Sequence, residues 1–153
     1  MNGTYRHAQG SPLCLIIYTA AIIFCASGLL LRDEPVVSRV FSSVGALLLL
    51  LAASFHHLHI EDAGDRLSIC FGPIRLFRRS IRYEDIASVE TGRTSILDGW
   101  GIHMSFRGGW VWNIRGRDCV VVQHREGILR LGTDDSENLV AFLQSRLPSD
   151  NPD

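Results

Sequence analysis

The chain has 153 residues, 46% of them hydrophobic, and 15 basic against 16 acidic side chains give a formal net charge of −1. Every basic side chain is arginine, and without an excess of them there is no clustered positive charge to hold phosphates, so nucleic-acid binding is set aside. The apolar residues concentrate between Leu13 and Phe55, and the part from His56 onward is long enough for one folding core but not two.

Residues 1–12 are expected to form an N-terminal tail. Leu13 to Leu31 is an uncharged run of the length that crosses a hydrocarbon core, about 20 residues at roughly 1.5 Å each. The charged turn Arg32-Asp33-Glu34-Pro35 stops it. Val36 to Phe55 matches it in length, centres on the leucines 47–51 and carries one charge, Arg39, close enough to its start to reach the headgroups. So short a connection makes residues 13–55 an antiparallel transmembrane hairpin. A signal peptide fits less well, because its apolar stretch spans about 7–15 residues and bulky Phe24 precedes Cys25 where a lipoprotein needs a small residue. Gly45 and Ala46 in one helix and Ala20, Ala21, Ala26 and Gly28 in the other are small enough for close backbone approach.

The hairpin loop holds Arg32 and Arg39, whereas Arg6, Arg66, Arg75, Arg78, Arg79 and Arg82 flank the outer ends. That balance places both termini in the cytoplasm. The absence of lysine suggests a genome rich in G and C, and with it a bacterial inner membrane.

From His56 the pattern changes to short alternating runs separated by turn residues. Strands are expected near Phe55–Ile60, Leu67–Phe71, Arg75–Tyr83, Ile86–Thr91, Trp110–Arg115, Cys119–Arg125 and Ile128–Leu131. Residues 62–65, Gly72-Pro73 and Arg125-Glu126-Gly127 supply turns. Residues 93–109, with glycines at 99, 101, 108 and 109, are irregular and the expected place for a functional loop. Asp134-Asp135-Ser136-Glu137 offers capping side chains before Leu139, Phe142, Leu143 and Leu147 recur at helical spacing. Pro148 ends that helix, leaving 148–153 as a tail.

The segments Arg82-Tyr83-Glu84-Asp85-Ile86-Ala87-Ser88-Val89-Glu90, Gly99-Trp100-Gly101-Ile102 and Leu131-Gly132-Thr133-Asp134-Asp135 resemble those of bacterial pleckstrin-homology (PH) membrane proteins. The resemblance covers residues 56–147. It implies a seven-stranded PH-like barrel or sandwich capped by a C-terminal helix, in an α+β domain joined to the hairpin. The arginine that often follows the Gly-Trp-Gly-Ile pattern in that family is His103 here, so its role is not carried over. Within the first segment, Glu84 and Asp85 are expected in a polar turn, with Ile86 and Val89 pointing inward.

Several groups are candidates for function. Arg75, Arg78, Arg79 and Arg82 are placed to bind anionic headgroups beside the membrane; the plainer reading is a solvated strand. Trp100, Trp110 and Trp112 suit core packing, the membrane interface or a partner surface. His57 and His59 share a strand face and raise the idea of a shared metal, but no fourth ligand is evident and interfacial imidazoles are the expected reading; no metal or cofactor is assigned. Asp62 and Asp65 occupy the turn where PH domains grip phosphoinositides, so specific phosphoinositide binding is not expected. Cys70 and Cys119 read as small buried hydrophobes. No nucleophile elbow, phosphate loop or His-Glu-x-x-His appears. The expected function is a non-catalytic membrane-anchored interaction module that binds a protein partner or itself; an anionic-lipid-sensing or envelope-stress component is the alternative, and a small metal-dependent enzyme the poorest fit.

Overall fold

The computed structural model describes residues 4–95 and 98–147, so the expected 148–153 tail and its Pro148 stop lie outside it. In chain order the elements are β1 (Arg6–Gly10), α1 (Leu13–Leu30), α2 (Pro35–Ser54), β2 (His57–Asp62), β3 (Arg66–Gly72) and β4 (Arg78–Arg82). A 3₁₀ turn (Tyr83–Asp85) leads to β5 (Ile86–Arg93), β6 (Gly101–Met104), β7 (Trp110–Asn113), β8 (Asp118–His124), β9 (Gly127–Gly132) and α3 (Ser136–Arg146).

α1 and α2 begin and end within a residue of the expected bounds, and Pro35 opens α2 where its missing N–H costs nothing. At 18 and 20 residues they run about 27 and 30 Å, so both are long and apolar enough to cross a membrane. Small residues set their contact. The Ser38 hydroxyl donates to the Gly28 carbonyl at 2.7 Å, and Gly45 lies against Cys25 and the Ala21 carbonyl so closely that a Cβ there would collide. Phe24 and Phe41 add a ring contact at 5.4 Å. Elsewhere the pair is bare: Leu15, Ile16, Ile22, Leu29, Leu30 and Val36 are all exposed, although a core helix of a soluble protein buries such side chains.

The remaining elements make an α+β domain. One sheet runs β1-β2-β3-β4, antiparallel throughout; the other runs β5-β8-β9-β7-β6, with β7 parallel to β9. Period-two alternation sends Leu58 and Ile60, Leu67, Ile69 and Phe71, Val120 and Val122, and Leu129 and Leu131 into one core between the sheets. Each such burial is worth roughly 1.5–3 kcal/mol. Ile86 and Val89 both point inward as expected, and a bulge between Ile86 and Ser88 lets residues three apart share a face. α3 packs Leu139 and Leu143 into the same core.

The described residues form nine strands rather than seven. β6 lies in the glycine-rich stretch, and β1 lies in the segment expected to be a tail. β1 has no apolar alternation of its own, and only Gln9 is buried. Its partner supplies the order: Arg6 to Gly10 pair antiparallel with Glu61 to His57. The expected strand from Arg75 to Tyr83 shortens to β4, because residues 73–77 turn and Tyr83 enters the 3₁₀ helix.

Candidate functional site

Pairing of β1 with β2 places the hairpin as an insertion between neighbouring strands of one sheet. Gly10 opposes His57, and His57 opposes Gly72, so the ends of β1 and β3 and the start of β2 lie together beside the helix ends. The Ser11 N–H donates to the His56 carbonyl at 3.1 Å and closes this neck. Phe55, at the end of α2, packs its ring 5.0 Å from Phe71 and 5.1 Å from Phe77.

The four arginines read as one cluster do not form one. Arg75 sits in the turn at the neck and Arg78 starts β4; neither makes an ion pair among the described residues. Arg79 turns to the other face, 3.3 Å from Glu126, and Arg82, at the far end of β4, pairs with Glu84 at 2.9 Å. Strand alternation and a length of five residues separate what the sequence places side by side.

The three tryptophans also part. Trp112 is buried, 5.5 Å from Phe71. Trp100 is exposed at the neck, in a groove of about 680 Å³ with Ser11, Pro12, Leu15, His56 and Arg115. Trp110 lies at the opposite end of β7, where the β6–β7 turn exposes Met104 and Phe106, the latter 90% accessible. This apolar tip is carried on β6, an edge strand with no neighbour on its outer side among the described residues. Sequence alone pointed to the loop but not to its tip, since neither Met104 nor Phe106 belongs to any recognisable pattern.

His56, His57 and His59 stand ring to ring, at 4.2 and 5.6 Å. Burial, with the neighbouring His56 and His59, pushes the His57 imidazole below its ordinary range. Among the described residues no group of three His, Cys, Asp or Glu side chains is arranged to hold a metal ion. Cys70 and Cys119 are free and buried, on different sheets, and burial raises the Cys119 thiol to about 11.

The acidic residues have structural partners that the sequence did not disclose. Asp62 does not stand as a free charge in its turn. Its side chain is 2% exposed; it accepts from the Tyr83 hydroxyl at 2.8 Å and the Gly64 N–H at 2.9 Å, and pairs with Arg146 at 2.7 Å. Asp65 pairs with Arg66 at 2.8 Å. The repulsion expected from this turn is therefore largely neutralised. Nor does the Asp134-Asp135 pair cap α3 by a side-chain bond: Asp134 holds His7 at 2.7 Å, and Asp135 accepts from the Tyr5 hydroxyl at 2.9 Å, so both fasten the segment around β1.

Between β5 and β7, Asp98 and Ser105 are buried. Burial opposes its ionisation, but the Ser95 N–H and Ser105 hydroxyl, with His103 and Arg130 nearby, hold the carboxyl below its ordinary range. The Ser105 hydroxyl is thus committed to Asp98, while His103 Nε2 is buried without a hydrogen-bond partner among the described residues. Searches against protein-family models, curated proteins and solved structures find no match for the chain.

Proposed function

We propose that this chain is a membrane-anchored, non-catalytic interaction module: α1 and α2 span a bacterial inner membrane and hold a PH-like domain at its cytoplasmic face, where the domain binds a protein partner or a second copy. The observation that carries the reading is the apolar tip on an edge strand, Met104, Phe106 and Trp110, beside Arg107, which makes no ion pair among the described residues. Exposed apolar side chains at a rigid hairpin tip cost solubility unless something covers them. Confinement to a surface raises the effective concentration of such a contact without demanding high intrinsic affinity.

Three further observations support the anchor and the domain. The helices leave their apolar surface bare, as lipid contact requires. β1 before α1 pairs with β2 after α2, so both ends of the hairpin emerge on one side; cleavage after α1 would remove a strand from the sheet. Two sheets about one core with a C-terminal helix suit a PH-like fold, from which the parallel β7–β9 pair and the two added strands depart.

The alternative, lipid sensing or envelope stress, draws on Arg75 and Arg78 alone once Arg79 and Arg82 are paired.

The test is photo-crosslinking in native membranes from Phe106 and Trp110, with Ser80 on the edge strand β4 as control. The expected result is a discrete crosslinked species from the tip and none from Ser80. Monomer alone, or equal products from all three positions, would reject the reading.

A further inference from the structure

We infer that the base of the domain, formed by the β3–β4 turn with Trp100 and Arg115, rests on anionic lipid headgroups of the leaflet from which the hairpin emerges. The inference depends on the membrane anchor proposed above, and it says how the domain is oriented on that anchor.

The turn begins at Gly72, which opposes His57, three residues beyond the end of α2. Ile74 is 40% and Leu76 53% exposed, on either side of Arg75, while Phe77 tucks against Phe55 at the helix end. Two aliphatic side chains thus flank a guanidinium in a turn held beside the helix exit. Across the neck, Gln9 donates to the Arg115 carbonyl at 3.3 Å and Ser11 to the Ile114 carbonyl at 3.5 Å. Those bonds bring Arg115 and exposed Trp100 to the groove beside Leu15.

The base carries positive charge without opposing carboxylates. Arg75, Arg78 and Arg115 have no carboxylate partner among the described residues, a condition Arg107 at the tip shares, whereas Arg66, Arg79, Arg82, Arg93 and Arg146 are each paired. No acidic residue occurs in the neck segments 10–16, 54–60, 72–78, 99–102 and 112–117. Tryptophan and aliphatic side chains suit the headgroup boundary, and unpaired arginines beside it are attracted to a negatively charged leaflet. The tip with Met104, Phe106 and Trp110, at the other end of β7, is left facing away from the neck.

The experiment uses the full chain, one copy per nanodisc, in phosphatidylcholine with or without phosphatidylglycerol. Trp110→Phe leaves Trp100 as reporter of the neck over the buried Trp112 background. Leu76→Trp in a Trp100→Phe/Trp110→Phe chain reports the turn, and Met104→Trp in the same chain reports the tip. Lipids brominated near the headgroup are expected to lower the emission of the turn and neck reporters by about half and to leave the tip reporter unchanged. The effect should be strongest with phosphatidylglycerol and fall to the phosphatidylcholine level in Arg75→Gln/Arg78→Gln/Arg115→Gln. Unquenched turn and neck reporters in a chain that resists alkaline carbonate would overturn the inference. Quenching indifferent to phosphatidylglycerol and to the arginines would overturn the assignment to anionic headgroups, and protection that requires two copies per disc would assign the surface to self-association instead. Extraction of the whole chain by carbonate would instead reject the anchor itself.

Discussion

Replacing Asp62 by asparagine should loosen the C-terminal helix from the first sheet. The carboxylate is 2% exposed and accepts three hydrogen bonds, two at Oδ1 from Gly64 and Tyr83 and one at Oδ2 from Arg146. Asparagine retains the Oδ1 bonds but sets an amino group against the guanidinium, donor against donor, and removes its counter-charge. Breaking a buried pair costs about 3–5 kcal/mol, and the partial exposure of Arg146 lowers this to roughly 2–3 kcal/mol, since water recovers part of its solvation. For a domain of this size that corresponds to a Tm lower by roughly 10–20 °C. Thermal unfolding of the full chain in one detergent, followed by the emission of buried Trp112, measures it. Arg146→Met and the double variant complete a cycle in which the coupling should exceed about 1 kcal/mol. A Tm change below about 3 °C, or strict additivity of the two changes, would refute the reasoning.

Other outcomes follow from the same packing. Gly45→Val should force α1 from α2 and cost about 1–3 kcal/mol by overpacking, whereas Ala46→Val, one residue along on the exposed face, should change little; unfolding in detergent compares them. Ala8→Cys with His59→Cys, in a Cys70→Ser chain because Cys70 opposes His59 on its other side, should form a disulfide under mild oxidation, and a gel after proteolysis within the hairpin should show the two ends still linked. Burial, then Arg79, hold the His124 imidazole below its ordinary 6.5, although Glu126 and Asp85 oppose them. The unfolded chain therefore takes up a proton first, and stability should be level above about pH 6.5 and fall as pH drops below it. His124→Gln should lessen the fall of Tm between pH 7.5 and 5.5, about the range where histidine titrates, with His57 contributing the remainder, and an unchanged slope would exclude His124 as a cause.

What the sequence revealed depended on how locally each feature is determined. Two apolar runs of membrane length need no context, so α1 and α2 were legible almost to the residue. Strands with inward pairs such as Leu58 and Ile60 or Val120 and Val122 were legible for the same reason. β1 was not, because Arg6, His7 and Ala8 carry no alternation and become a strand only by pairing with residues some fifty positions later. The candidate site suffered from the converse error. Arg75, Arg78, Arg79 and Arg82 are neighbours in sequence, yet a turn and the strand pleat send them to different faces and partners. Asp62 looked like a surface charge because Arg146 is 84 residues away, and Phe106 looked unremarkable because exposure is a property of the folded chain.

Placing β1 before the hairpin also sets an order of events during synthesis. The ribosome makes β1 before either helix and β2 only after both, a delay of a few seconds at about 5–20 residues per second. Until then β1 has no partner and the first sheet cannot close. In a membrane, a chain whose leading segment had been carried to the far side would keep β2 as a naked edge over an unfinished core. Such edges invite aggregation and proteolysis. Completion of this sheet thus requires both ends of the hairpin to lie on one side, and a copy whose ends were split across a bilayer would carry the mark of its own error.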